Sequence, residues 1–346
     1  MKILYAVQGT GNGHITRAME IIPYLQQKGE VDILVSGIQS DIELPFKVKY
    51  KFKGMSFIFG KKGGVDFWQT FKKLNSLKLL KEIKNLDLKP YDLIISDFEP
   101  ISCWAAIKAK KETIGLSNQV ATLHPLAPKP KKQDLIGKLV LQNYAPTTYN
   151  YGFHFKQLDG TVFTPIIRKQ VRELIPTNEG HYTVYLPSYD DEQIIKHLRL
   201  LYTENWQVFS KHYKKGKRIK NITTYPIDSE KFLKSMASCK GILCNAGFGT
   251  VSEALFLKKK LMVIPMKKQF EQACNAALLK DMGVPVIKKL NLDNIPKIKK
   301  WLADDAIVEV EYPDNAEEIV DLIVDNHTGG KKIKANHEPN KYPIFQ

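Results

Sequence analysis

Cysteine is scarce in this chain. The 346 residues hold four (Cys103, Cys239, Cys244 and Cys274), and none are spaced like metal ligands. That excludes a disulfide-stapled secreted scaffold and the common zinc modules, and leaves four reduced core thiols as the expectation. Long apolar runs are missing too. No stretch is long enough to span a bilayer, and the first residues read directly as a strand, without the pattern of a signal peptide. Acidic residues are outnumbered, with 36 Asp and Glu against 52 Lys and Arg, for a net charge of +16. The excess is mostly lysine, a hydrated point charge without bidentate geometry. There is no continuous basic helix and no RNA-binding aromatic signature, so a sequence-reading nucleic-acid protein is not indicated. The glycine loop Gln8–Arg17 has no Gly-Lys-Ser/Thr and is not a P-loop. Its third glycine falls two residues after Gly11 instead of three, so it is not a dinucleotide fingerprint either. Asp190-Asp191 lacks an Asp-x-Asp setting and reads as a helix start, so no metal site is expected.

What is present is alternation. The length fits two domains better than one core. Strand-like runs at Lys2–Gln8, Val31–Ser36, Val48–Lys53, Leu93–Ser96 and Thr113–Leu116 are separated by helical patterns at Gly13–Gln27, Phe67–Ile83 and Ile101–Ala109. A second series begins at His181–Leu186. Such alternation predicts an α/β chain with doubly wound parallel sheets. The expected division is a first domain over 1–165, a second over 166–315, a helix over 316–327 and a polar, frayed tail over 328–346. Val162–Arg168 reads as the link. Two such domains leave a cleft between the C-terminal edges of their strands, where α/β sheets bind ligands.

The most informative segment is Gly241–Gly283. Gly241–Cys244 is a short apolar strand, and Asn245-Ala246-Gly247-Phe248-Gly249-Thr250 turns the chain into a helix starting near Thr250 or Val251. The glycines permit positive φ and close approach of a ligand, and the free N–H groups of a helix start attract phosphate. Glu253 lies one turn inside, placed for ribose hydroxyls. After the strand Leu261–Pro265 come Gln269, Glu271, Gln272 and Asn275, a dense polar set for sugar hydroxyls. Asn-Ala-Gly-x-Gly-Thr-x-x-Glu-Ala, an apolar strand ending in Pro, then Glu-Gln-x-x-Asn-Ala, resembles the donor half of GT-B glycosyltransferases. The nearest groups are the UDP-glycosyltransferases and the peptidoglycan GlcNAc-transferase type. The resemblance implies two Rossmann-like domains facing across a cleft. It also implies a diphosphate at Asn245 and Gly247-Phe248-Gly249-Thr250, ribose on Glu253, and the transferred sugar on Glu271, Gln272 and Asn275.

The first-domain loop fits the same picture. Gly11-Asn12-Gly13-His14 resembles the acceptor-side loop of these enzymes, with His14 as the base for an acceptor hydroxyl. Asp97 and Glu99 follow the strand Leu93–Ser96. Either could orient His14, act as base or touch the acceptor; either could equally cap the helix that follows. At the start of the second domain the turn is not glycine-rich, and Ser188 alone is a candidate diphosphate contact. Near Ile227 the relatives hold the nucleobase through backbone groups.

The resemblance therefore implies an inverting, metal-independent transferase without a cofactor beyond its nucleotide-sugar co-substrate, a UDP-sugar. The acceptor is expected to be a hydroxyl on a lipid-linked or cell-envelope glycan. The acceptor loops Phe57–Trp68 and His124–Gln142 read as irregular. Two other classes share these residues: a nucleotide-sugar epimerase, and a non-catalytic nucleotide-sugar or polyanion binder. The lysine clusters Lys47–Lys53, Lys129–Lys132 and Lys214–Arg218 suit an anionic membrane surface or plain solubility. The expected location is cytoplasmic, peripheral at the inner membrane face.

Overall fold

The computed structural model describes residues 1–37, 44–54, 76–131 and 134–329. The first half contains β1 (Lys2–Gln8), α1 (Asn12–Lys28), β2 (Glu30–Ser36), β3 (Val48–Phe52), α2 (Ser76–Asn85), β4 (Leu93–Asp97), α3 (Pro100–Ala109), β5 (Ile114–Ser117), α4 (Asn118–Leu123), α5 (Leu135–Tyr144), β6 (Tyr149–Phe153) and β7 (Val162–Phe163). These strands form one sheet in the order β3-β2-β1-β4-β5-β6-β7, and every pair is parallel. β1 and β4 sit at its centre, and β4 is buried throughout, as a strand covered on both faces must be.

The second half contains α6 (Lys169–Arg172), β8 (His181–Tyr185), α7 (Asp191–Leu198), β9 (Asn205–Ser210), β10 (Lys217–Ile219), β11 (Ile222–Pro226), α8 (Ser229–Ser238), β12 (Gly241–Asn245), α9 (Phe248–Phe256), β13 (Lys260–Ile264), α10 (Phe270–Asp281), α11 (Ile295–Ala303) and α12 (Ala316–Thr328). Its sheet runs β10-β11-β9-β8-β12-β13. Only the β10–β11 hairpin is antiparallel. The strand order reverses at β1 and β4 in the first sheet and at β8 and β12 in the second. Each reversal opens a crevice at the carboxyl ends of the strands, and the two crevices face one another.

One apolar cluster runs through both halves. It joins Ile3, Tyr5 and Ile21 to Ile242, Val251 and Val263, and Phe155 stacks on Phe248 at 5.2 Å between centroids. α12 packs on α1, with Lys28 Nζ 2.7 Å from Asp321 Oδ1. The four cysteines are free and buried. No helix of the described residues is long and apolar enough to cross a membrane.

Several expectations are corrected. The segment His124–Gln142 is not irregular throughout, because α5 occupies its second part. Asp134 caps that helix by accepting from the Gly137 N–H at 2.9 Å. Phe57–Trp68, and the start of the helix expected over Phe67–Ile83, lie outside the described residues. The lysines of β3 do alternate outward, but Lys49 is not free: its Nζ lies 2.6 Å from Asp32 Oδ2. Lys129 donates to the carbonyls of Thr122 and His124.

Candidate active site

A cleft of about 570 Å³ lies between the halves. Its first-half wall begins where β1 ends. The chain turns at Gly11, whose φ of 91° is strained for a residue with a side chain, and α1 starts at Asn12. This places His14 in the first turn of α1 and Arg17 one turn on, on the same face. β4 brings Asp97 beside them. His14 Nδ1 is 2.8 Å from Asp97 Oδ1, and Arg17 Nε donates to Asp97 Oδ2 at 2.9 Å. Asp97 is fully buried. Burial alone would raise its pKa, but the Arg17 charge and the His14 contacts outweigh it and hold the carboxyl below the ordinary range. An ionised Asp97 fixes the His14 proton on Nδ1 and turns the Nε2 lone pair toward the cleft. Asp97 itself stands behind His14, away from any ligand.

Glu99 is a different case. Its carboxylate accepts from the N–H groups of Ile101 at 2.8 Å and Ser102 at 2.6 Å. It is the N-cap of α3, fully buried, and not a contact for an acceptor. Between the two acids, Phe98 has a φ of 55° and stacks at 4.8 Å on Tyr144 and at 6.4 Å on His14. That sharp turn separates an acid aimed at His14 from one aimed at the helix.

The second-half wall is the N-terminus of α9. The helix starts at Phe248, two residues earlier than expected, with Gly247 as N-cap and no side-chain cap bond. Gly247 has φ −73°. Neither it nor Gly249 is in the positive-φ region, which corrects the reason given for these glycines. What they supply is room. A Cβ on Gly249 would meet nothing within 4 Å, and one on Gly247 only Gln272 Nε2 at 3.9 Å. The first N–H groups of the helix therefore face open cleft, along with Thr250.

Glu253 lines the same cleft but is already engaged. Arg168 Nε and Nη2 grip its two oxygens at 2.6 and 2.9 Å. Arg168 comes from the link after β7; the ion pair overcomes its burial and raises its pKa. Glu271 and Gln272 also line the cleft. Gln272 Oε1 accepts from the Met266 N–H at 2.9 Å. Glu271 reaches the first half: Asn118 Nδ2 donates to its Oε1 at 2.8 Å, and Gln119 Nε2 to its Oε2 at 3.1 Å. Burial raises the Glu271 pKa, with His14, Gln119, Arg17 and Asn118 opposing it. Ile227 lines the end of the cleft beside Tyr185, Phe209 and Phe232. Gly11, Asn12 and Gly13 line the opposite wall.

Three expected donor contacts lie behind the glycine turn. Ser188 Oγ donates to Asn245 Oδ1 at 3.0 Å, and Asn245 Nδ2 to the Ile264 carbonyl at 2.7 Å. Asn275, fully buried, donates to the Ala246 carbonyl at 3.0 Å. These bonds brace the turn from behind; among the described residues Asn275 Oδ1 is buried without a hydrogen-bond partner. Sequence reasoning missed Arg17, Asn118, Gln119 and Arg168. Only Arg17 carried a local signal, being one helical turn from His14.

A family model described as glycosyl transferase family 1 matches residues 1–304. The chain belongs to that family. It is a glycosyltransferase of GT-B architecture. The glycotransferase of kitacinnamycin is similar in structure, with a TM-score of 0.57 and 13% identity over 93% of this chain and 98% of that one. MurG of Acinetobacter baumannii gives 0.57 and 13%, covering 93% and 98%. A UDP-N-acetylglucosamine 2-epimerase gives 0.57 and 12%, covering 96% and 98%. At these identities the likeness shows the shared fold alone. No curated protein matches the chain.

Proposed function

We propose that this glycosyltransferase is inverting and metal-independent, and takes its sugar from a UDP-sugar. The observation that carries the reading is the opposition across one cleft of a carboxylate-held histidine and an uncapped helix N-terminus. The diphosphate lies on the N–H groups of Phe248, Gly249 and Thr250. The helix dipole offsets the negative charge that grows there as the glycosidic bond breaks. The acceptor hydroxyl gives its proton to His14 Nε2, its oxygen bonds to the anomeric carbon, and the nucleoside diphosphate leaves from the opposite face. A single displacement of this kind inverts the anomeric centre. Tyr185, Phe209 and Phe232 supply an aromatic corner for the base, with Phe232 tilted 55° from Tyr185 at 5.3 Å and 83° from Phe209 at 5.1 Å.

A specific observation favours a lipid-linked acceptor at a membrane face. α5 turns Gly137, Val140 and Leu141 into the cleft. Its other side leaves Leu135, Ile136 and Leu139 exposed by 70%, 68% and 58%. Exposed leucines on a helix bordered by Lys131 and Lys138 suit an interface of acyl chains and anionic headgroups.

The test is product analysis with UDP-sugars and a pool of glycolipid acceptors in the presence of EDTA. Release of UDP only when acceptor is present supports transfer. Its release without acceptor, or interconversion of two UDP-sugars, supports the epimerase reading. Activity lost in EDTA and restored by magnesium or manganese would overturn the metal-independent one.

A further inference from the structure

Glu271 and His14 belong to opposite halves, yet one side chain touches both. Gln119, in the first turn of α4, has its Nε2 3.1 Å from Glu271 Oε2 and 3.3 Å from His14 Nε2. An amide nitrogen carries two hydrogens, one for each acceptor. Asn118 beside it donates to Glu271 Oε1 at 2.8 Å and accepts from Arg17 Nη1 at 3.1 Å. Arg17 returns to Asp97, and Asp97 to His14. The six side chains close a ring across the cleft.

Two consequences follow for His14. Arg17 Nη2 and Asp97 Oδ1 both approach His14 Nδ1, at 3.0 and 2.8 Å. The ionised carboxylate is the closer and holds the proton on Nδ1, which leaves Nε2 to accept one. That lone pair already receives the Gln119 amide. The ring also leaves one atom unserved: among the described residues Gln119 Oε1 is buried without a hydrogen-bond partner, on a residue 6% exposed that lines the cleft. A buried carbonyl without a donor is costly. Swapping the amide O and N does not help, because it would aim the oxygen at both Glu271 and the His14 lone pair. No described residue supplies the missing partner, which must donate. Glu271 is an acceptor too, so the gap calls for a ligand that donates, as the hydroxyl groups of a sugar do.

We propose that Gln119 is a positioning residue that covers the His14 base until the sugar of the donor arrives. This rests on the function proposed above. The sugar hydroxyls donate to Glu271 and to Gln119 Oε1, which draws the amide off His14 Nε2. The base is then open to the acceptor hydroxyl, and the donor sugar binds before the acceptor can react. Nucleotide without sugar fills the α9 end of the cleft and leaves the cover in place.

The test uses the full chain labelled with ¹⁵N at histidine, with the His14 signals assigned from their absence in His14→Asn. In the ligand-free protein, Gln119→Met keeps the length of the side chain and removes the amide. His14 Nε2 should move toward the shift of an unbonded imidazole nitrogen. In wild type, saturating UDP should leave that signal in place. UDP-glucose, UDP-galactose and UDP-N-acetylglucosamine are then tried, and the one that binds should move it as Gln119→Met does. Calorimetry should give Gln119→Met a UDP Kd within about twofold of wild type, which also shows that it folds. Its affinity for the UDP-sugar should fall about three- to tenfold, the usual worth of one uncharged hydrogen bond. The proposal is overturned if Gln119→Met leaves His14 Nε2 unmoved, if UDP alone moves it as far as the UDP-sugar, or if UDP binds and no UDP-sugar moves it. Failure of the underlying reading looks different: His14→Ala would then transfer sugar at the wild-type rate whatever the spectra show.

Discussion

Removing Glu253 should damage the fold as well as the donor site. The carboxylate and Arg168 form a two-bond ion pair, with side-chain exposures of 11% and 15%. Truncating one partner of such a pair leaves a largely buried charge without compensation, at a cost of about 3–5 kcal/mol. At roughly 2–4 °C per kcal/mol for a domain of this size, Glu253→Ala should lower the melting midpoint by about 10 °C. Replacing both residues, as in Arg168→Met with Glu253→Leu, removes the orphaned charge along with the pair. It should recover most of that loss, because a hydrophobic replacement of a buried pair is often neutral. UDP affinity should not recover. If Glu253 contacts the ribose as well, its loss weakens UDP binding by about 1.5–3 kcal/mol in both variants. Differential scanning fluorimetry of the two singles and the double, with UDP titrated by calorimetry, separates the effects. Singles as stable as wild type, or a double no better than the sum of its singles, would refute the coupling. A double that binds UDP normally would remove Glu253 from the donor site.

Three further outcomes are expected. His14→Ala should lower turnover about 100- to 10,000-fold with UDP affinity unchanged, measured by release of UDP in the presence of acceptor. Asp97 has a folded pKa below its unfolded value, so its stabilisation is complete above about pH 3.9 and fades as pH falls through the lower folded value. Asp97→Asn should therefore be less stable than wild type at neutral pH and lose less between there and pH 2, as read from urea midpoints against pH. Leu135→Ser with Leu139→Ser should weaken co-sedimentation with anionic vesicles at least tenfold and leave UDP binding intact; unchanged sedimentation would mean that α5 does not meet a lipid surface.

Much of the fold was legible because its signals are local. Parallel strands declare themselves as short apolar runs, and the β12–α9 turn shows its glycines. His14 and Asp97 each stood out as polar residues at the carboxyl end of a central strand. Their pairing was open, since they are 83 positions apart. Glu99 shows the limit of such reasoning. An acid just before a helix has the same appearance whether it caps or catalyses, and only the positive φ of Phe98 separates it from Asp97. Ser188, Asn245 and Asn275 have the chemistry of ligand contacts, but each donates behind the turn, to one another or to a backbone carbonyl. Arg168 and Gln119 were unreadable for the opposite reason. A lone arginine in a link and a lone glutamine after a strand acquire meaning only when the other half brings Glu253 and Glu271 against them.

The return of α12 to the first half means that the chain passes between the halves twice. One passage is the link 164–168 after β7, and the other is the stretch 304–315 before α12. Arg172 ties them together, donating to the carbonyls of Tyr312 at 3.0 Å and Pro313 at 2.7 Å, while Tyr312 Oη donates to the Phe155 carbonyl at 2.9 Å. A single tether would let one half swivel freely against the other. Two tethers bound side by side act as a door hinge: they forbid twisting about the long axis and permit swinging about the line through both. A swing of that kind would carry Glu271 away from Gln119 along an arc and bring the same atoms back to the same places.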